Sequence, residues 1–101
     1  MSAPVQTLEL VTFRAAPGVT RVQVTEAARL TTTWLKLQPG FIRRQLSATA
    51  DGEFVDSIIW ASLDDALAAA AAIEFAESTG PFMAAIDLST VSLRHASIID
   101  A

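Results

Sequence analysis

Apolar and polar positions recur with two different periods along the chain, and each period predicts a type of element. Residues 5–14 are rich in β-branched and apolar types and are followed by Pro17-Gly18, which predicts a strand and a turn. Thr20 and Gln23 then have the spacing of a helix capping box. The apolar positions that follow recur at helical spacing and predict a helix that ends near Gln38, with one apolar face: Val24, Ala27, Ala28, Thr31, Trp34 and Leu35.

Two strand-like runs, residues 41–49 and 53–61, flank Asp51-Gly52, which is a strong signal for a β-hairpin. A two-residue loop at this dipeptide pairs Arg43 with Trp60 and Gln45 with Ile58. It also predicts one shared face, made of Phe41, Arg43, Gln45, Ser47, Asp56, Ile58 and Trp60. A three-residue loop would shift the register and break this pairing, so the predicted face depends on the length of the loop.

The second half of the chain predicts a helix, a short helical turn and a last strand. Ser62 and Asp65 resemble a second helix cap, and the alanine-rich run after them continues through Phe75. Residues 82–86 predict the helical turn, and residues 89–99 predict the strand. The order β-α-β-β-α-β is that of a ferredoxin-like α+β fold, in which one antiparallel sheet carries both helices on one face.

Composition predicts a single domain over residues 1–101 that assembles with a second copy. Of the 101 residues, 51% are apolar and only 18% are charged. A domain of this length buries only about 60% of the surface of its unfolded chain. Because the hairpin carries apolar residues on both faces, we expect the uncovered face of the sheet to pack on another sheet in a homodimer. We expect residues 1–4 to be flexible.

Charge and residue types argue against several classes of function. The net charge is −4 and the basic residues are scattered, so nucleic acid is not an expected partner. Without cysteine, and with a single histidine, the chain predicts no metal site and no thiol nucleophile. No apolar run approaches the roughly 18 residues of a membrane span, and the first residues lack a signal-peptide pattern. We therefore expect no membrane association and a cytoplasmic location.

Three polar side chains are candidates for chemistry, each with a structural alternative. Asp56 could act as a general base if apolar neighbours raise its pKa, or it could be an ordinary carboxylate near the open end of the hairpin. Arg43 could hold a phenolate or carboxylate beside an aromatic ring stacked on Trp60, or its stem could shield a core tryptophan. His95 could be an acid or base, or a hydrogen-bonded residue at an interface. Further side chains of the same face would bind the substrate: Phe41, Gln45 and Ile58.

Several short motifs between residues 38 and 66 resemble a known family, and the likeness covers nearly the whole chain. They are Gln38-Pro39-Gly40-Phe41, Arg43-Arg44, Asp51-Gly52, Ile59-Trp60-Ala61-Ser62 and Ala66. With them the chain resembles the antibiotic biosynthesis monooxygenase-like group of the dimeric α+β barrel superfamily. This resemblance implies dimers formed through the sheets and ligands bound between sheet and helices. The superfamily includes cofactor-independent oxygenases of polyphenolic polyketides, haem-degrading enzymes and quinol oxygenases.

The chain departs from two branches of that superfamily. The polyketide oxygenases have an asparagine four residues before the strand-end tryptophan, where this chain has Asp56 ahead of Trp60. The haem-degrading members use a histidine in the second-helix region, and no histidine lies between Ser62 and Ile86. The first departure counts against a polyketide oxygenase, and the second counts against haem degradation. The first hypothesis is a monooxygenase without metal or organic cofactor, acting on an aromatic or polycyclic ketone or phenol.

In that hypothesis Asp56 takes the substrate proton, Arg43 holds the resulting oxyanion and Trp60 packs against the ring. Two alternatives remain open. The same site could serve an isomerase or cyclase, in which only protons move. A non-catalytic dimer could also bind an aromatic or lipophilic small molecule in the same place.

Overall fold

The computed structural model describes residues 5–101 and contains one antiparallel sheet with its helices on one face. The strands are β1 (Thr7–Ala15), β2 (Phe41–Ala48), β3 (Phe54–Trp60) and β4 (Ile86–Ser97), and the helices are α1 (Arg21–Leu35), α2 (Leu63–Ala72) and α3 (Gly80–Ala85). The sheet order is β2-β3-β1-β4. This confirms the ferredoxin-like α+β fold. The expectation for residues 1–4 lies outside the described residues.

Local signals place the first helix as predicted. The Thr20 hydroxyl accepts a hydrogen bond from the Gln23 amide at 3.2 Å, and the Gln23 side chain accepts one from the Thr20 amide at 2.9 Å. These two bonds complete the capping box. The predicted apolar face of α1 is buried except for Trp34, which is half-buried. The helix ends at Leu35, and the Gln38 amide donates back to the Leu35 carbonyl at 2.9 Å in a tighter turn.

The hairpin register differs from the prediction because its loop has three residues, Ala50, Asp51 and Gly52. The Thr49 amide donates to the Glu53 carbonyl at 2.8 Å and closes the loop, while Gly52 adopts a φ of 91°. A three-residue hairpin loop commonly ends with a residue in this left-handed region, which glycine adopts without steric cost. An Asp-Gly pair suits both loop lengths, so the dipeptide alone does not determine the register.

The longer loop moves β2 by one position relative to β3 and reverses which face its side chains occupy. Arg44 lies opposite Ile58, and Arg43 lies opposite Ile59. The predicted pairing of Arg43 with Trp60 is therefore wrong, and so is the pairing of Gln45 with Ile58. Arg43, Gln45 and Ser47 lie on the sheet face away from the helices.

A bulge in β2 places Phe41 beside Trp60, on the predicted face of the sheet. Ile42 is an extra residue in β2, and this bulge pairs Phe41 with Trp60. The two rings meet edge to face, with centroids 5.8 Å apart and planes at 82°. Phe41 is thus on the predicted face, although Arg43 is not.

The last part of the chain keeps the predicted elements with shifted bounds. The short helix α3 begins two residues earlier than expected, and β4 spans Ile86–Ser97 rather than residues 89–99. The earlier start of β4 follows from its pairing with β1, in which Ile86 lies opposite Ala15 and Asp87 opposite Arg14. Among the described residues, no helix has the length and apolar character needed to cross a membrane.

The core between sheet and helices consists of two apolar clusters. The first contains three aromatic rings, with Phe13 stacked on Phe54 at 5.2 Å and edge-on to Phe82 at 5.6 Å. The second surrounds Trp60 and includes small residues of the alanine-rich helix: Leu35, Ile58, Ala66 and Ala69. Alanine fills little volume, so α2 leaves space beside the sheet in the region between the clusters.

The other face of the sheet carries no helix of residues 5–101. Its centre is apolar and only partly exposed, and its main side chains are Leu8, Leu10, Val55 and Ile59. Polar side chains of the two outer strands surround them. This is the uncovered face that the sequence predicted.

Candidate functional site

A cavity of about 380 Å³ lies between the sheet and the helices. This volume is within the range of small-molecule sites in proteins, about 300–1,000 Å³. Its wall is mainly apolar and comes from both core clusters, including Val11, Trp34, Leu35, Ile58, Ala69, Ala70, Phe82, Met83 and Leu93. A few polar side chains interrupt this wall: Glu9, Thr31, Arg44, Asp56 and Glu74. An apolar cavity with few polar groups fits a ring-shaped ligand that carries a small number of oxygens.

Arg44 and Asp56 form a buried ion pair in the cavity wall. The Nε and Nη2 atoms of Arg44 donate to the two carboxylate oxygens of Asp56 at 2.9 and 2.5 Å. Their side chains are 3% and 5% exposed. The Nη1 atom also donates to the Ala28 carbonyl and the Thr32 hydroxyl, at 2.9 and 3.2 Å. The pair therefore ties β2 and β3 to α1, and it leaves both Asp56 oxygens engaged.

The arginine that meets Asp56 is thus Arg44, which sequence analysis did not select for the site. Arg43 and Arg44 are adjacent, and a change of one position in the register decides which of them faces the cavity. The guanidinium of Arg44 also lies over the Phe82 ring, 4.9 Å from its centroid. The one feature of the sequence that could have identified Arg44 is the alternative of a three-residue hairpin loop.

Glu9 and His95 form a second polar pair on the same sheet face. They lie opposite each other on β1 and β4, and Nε2 of His95 is 3.2 Å from Oε1 of Glu9. Burial raises the pKa of Glu9, and the nearby Asp56 carboxylate also raises it. The hydrogen bond and charge of His95 and the charge of Arg44 act in the opposite direction. The net result is a raised pKa, so Glu9 holds its proton more tightly than an exposed glutamate.

Glu9 is not among the site residues predicted from the sequence. A signal was present, because Glu9 alternates in phase with Thr7, Val11 and Phe13 along the first strand. A carboxylate in a row that faces the core is unusual unless it has a partner. That partner is His95, which lies 86 residues away and is reached only through the β1–β4 pairing.

The remaining predicted site residues have different positions. Ile58 lines the cavity. Trp60 is 1% exposed and lies beside the cavity within the second core cluster, where its Nε1 has no partner among residues 5–101. Phe41 contacts Trp60, whereas Gln45 and Arg43 are on the opposite face of the sheet. The structure therefore brings Asp56, Ile58 and His95 together on the cavity face and separates Arg43 and Gln45 from them.

Metal ligands do not converge in the described part of the chain. Within residues 5–101, no three histidine, aspartate or glutamate side chains form a group that could hold a metal ion. The two acidic side chains that approach each other in the cavity wall are already paired with Arg44 and His95.

The fold is that of the antibiotic biosynthesis monooxygenase-like proteins, as the resemblance implied. SnoaB, a cofactor-independent oxygenase from Streptomyces nogalater, has a similar structure with a TM-score of 0.69 and 16% identity, covering 96% of this chain and 94% of that chain. A candidate antibiotic biosynthesis monooxygenase from Nitrosomonas europaea matches with a TM-score of 0.68 and 14% identity, over 98% of this chain and 95% of that one.

The same fold also occurs in an enzyme of another class. Hydroxynitrile lyase from Passiflora edulis matches with a TM-score of 0.67 and 13% identity, covering 97% of each chain. No protein-family model matches the sequence, and no curated protein matches it either. These similarities define the fold, and the same fold is compatible with more than one activity.

Proposed function

We propose that this protein is a cofactor-independent monooxygenase whose substrate is an aromatic or polycyclic ketone or phenol. The observation that carries this proposal is a buried carboxyl group, Glu9, in the wall of an otherwise apolar cavity of about 380 Å³. A carboxylate with a raised pKa is a stronger base than an exposed one, and the apolar wall favours a hydrophobic substrate. SnoaB, which has the same fold, is a cofactor-independent oxygenase.

In the proposed reaction the Glu9 carboxylate takes a proton from a substrate carbon next to a carbonyl group. The resulting carbanion gives its electrons to dioxygen, and a carbon–oxygen bond forms. Protonation of the outer oxygen gives a hydroperoxide, which loses water and leaves a new carbonyl. The balance for the reacting methylene is CH2 + O2 → C=O + H2O, so the substrate itself supplies all the electrons.

The roles of the other polar groups follow from their bonds. Nε2 of His95 lies 3.2 Å from the Glu9 carboxyl group. In the proposed reaction it donates to the Glu9 carboxylate and holds it in one orientation, which makes His95 a positioning residue. Asp56 was the base in the hypothesis from sequence, but both of its oxygens accept hydrogen bonds from Arg44. We therefore assign Asp56 to holding Arg44, and we assign proton abstraction to Glu9. Arg43, the expected oxyanion ligand, lies on the other face of the sheet.

The test uses anthrone, a polycyclic ketone with an acidic methylene group, and an oxygen electrode. We expect the protein to accelerate oxygen uptake above the rate in buffer. Glu9→Gln should lower this rate by about a hundredfold or more, since general base catalysis contributes about 10²–10⁴. Glu26→Gln, which changes an exposed glutamate on α1, is the matched control and should leave the rate unchanged.

Equal oxygen uptake with and without protein would refute the oxygenase. A parallel reaction in D2O without oxygen separates the alternatives. Enzyme-dependent deuterium exchange at the methylene, without oxygen uptake in air, would indicate an isomerase or cyclase type of activity. Binding with neither exchange nor uptake would indicate a non-catalytic binding protein.

We also propose that a second copy of the chain covers the free face of the sheet. That face is apolar at its centre, and the described helices all lie on the other side. Two such faces packed together bury both apolar centres and form a symmetric dimer.

A further inference from the structure

One threonine on α1 differs from its neighbours in what its hydroxyl contacts. Thr25, Thr32 and Thr33 each donate to the carbonyl four residues earlier, at 2.9, 3.1 and 3.2 Å. This is the usual bond of a threonine within a helix. Thr31 makes no such bond, and its Oγ1 has no hydrogen-bond partner among residues 5–101.

The unpartnered hydroxyl of Thr31 is also deeply buried. The residue is 1% exposed and lines the cavity. A buried hydroxyl without a partner costs free energy that its neighbours avoid by bonding to the helix backbone. Thr31 lines a cavity large enough for a ligand, and its hydroxyl has no bond within residues 5–101 that it would have to give up before bonding to that ligand.

Resting on the proposed function, we infer that Thr31 is the subsite for the substrate's carbonyl or phenol oxygen. Its hydroxyl donates a hydrogen bond to that oxygen from the helix wall of the cavity, while Glu9 approaches the acidic proton from the sheet wall. The two groups define the substrate class more narrowly than the fold does. The inferred substrate is an apolar ring system that carries one acceptor oxygen on the side of α1 and one acidic C–H or O–H group on the side of β1.

The test compares two probes that share a ring skeleton. Anthrone has a carbonyl oxygen, and 9,10-dihydroanthracene lacks it. Binding is followed in the absence of oxygen through the fluorescence of tryptophan, because Trp34 lines the cavity. Thr31→Val removes the hydroxyl and nearly preserves the shape, while Thr31→Ser preserves the hydroxyl. The matched control is Thr33→Val, which removes a hydroxyl from the exposed side of the same helix.

We expect Thr31→Val to weaken anthrone binding about three- to tenfold, the loss of one hydrogen bond. Binding of dihydroanthracene should stay within about twofold of the wild type, and so should anthrone binding by Thr31→Ser and Thr33→Val. Thr31→Val should also be as stable to urea as the wild type, or more stable, because it removes an unpartnered polar group.

Three outcomes would overturn the inference. Thr31→Val could bind anthrone as tightly as the wild type, it could weaken both probes equally, or the wild type could bind neither probe. Failure of the proposed function gives a different result. If anthrone binding depends on Thr31 but no oxygen is consumed in air, the subsite stands and the oxygenase does not.

Discussion

Replacement of Asp56 by alanine tests whether the Arg44–Asp56 pair holds the cavity wall together. The substitution leaves a guanidinium that is 3% exposed, with Nε and Nη2 deprived of their partners. Removing one member of a buried ion pair typically costs about 3–5 kcal/mol. Domains of this kind have a total free energy of unfolding of about 5–15 kcal/mol. We therefore expect Asp56→Ala to fold marginally, with a large fall in the urea midpoint.

The double variant Arg44→Met/Asp56→Leu separates the contribution of the two charges to stability from the contribution of side-chain packing. It removes both charges and fills the same space with apolar atoms, which is often neutral or stabilising. We expect it to recover most of the stability that Asp56→Ala loses. Asp51→Ala is the control, because the Arg14–Asp51 ion pair is exposed at 46% and 71% and should change the midpoint little.

The assay is urea unfolding monitored by tryptophan fluorescence, repeated at several protein concentrations because subunit assembly contributes to apparent stability. A loss below about 1 kcal/mol in Asp56→Ala would refute the reasoning. It would show that Arg44 reaches solvent when its partner is removed, and that the pair does not form a rigid part of the cavity wall.

Three further predictions concern other parts of the molecule. Burial raises the pKa of Glu9, so the stability that its proton provides is complete below its unfolded pKa of about 4.5 and is lost as the pH rises through the folded value. The Tm of Glu9→Gln relative to the wild type should therefore increase as the pH rises above about 4.5, and a difference in Tm that does not change with pH would contradict this. Gly40 has a φ of 81°, and a Cβ there would overlap the Asp65 side chain, so Gly40→Ala should lose about 1–3 kcal/mol in urea unfolding. Gly18→Ala, at a φ of 79° but in open space, should lose less, and equal losses would exclude the overlap. Leu10→Asp on the free sheet face should shift sedimentation towards a monomer, whereas Leu37→Asp on an exposed turn should not; a wild-type monomer at all concentrations would refute the dimer.

Much of the fold was predictable because its signals are local. The capping box at Thr20 and the alternation of β3 each depend on residues within one element, and both are present as predicted. The hairpin register depends instead on a choice between loop lengths that Asp51-Gly52 permits equally. That choice alone exchanged Arg43 for Arg44 at the cavity.

The candidate site was less predictable because its groups come from distant parts of the chain. Glu9 acquires its raised pKa from burial, and its partner His95 becomes adjacent only when β4 pairs with β1. The unpartnered hydroxyl of Thr31 is likewise invisible in the sequence, where four threonines on the same helix look alike. Local patterns therefore identified the residues of β3 that face the cavity, but neither the residues of β2 beside them nor the polar groups that have no hydrogen-bond partner.

The two polar pairs in the cavity wall differ in the property that matters for catalysis. Arg44 has its bonds distributed over Asp56, Ala28 and Thr32, so a substrate would have to break several strong interactions to use either charge. Glu9 makes one side-chain hydrogen bond, to His95, and its second oxygen has no hydrogen-bond donor among the described residues. The known structures with this fold include an oxygenase and a lyase, so the fold supplies the cavity while the free polar groups select the reaction. In the proposed reaction the base is Glu9, and the ion pair beside it holds the cavity wall in place.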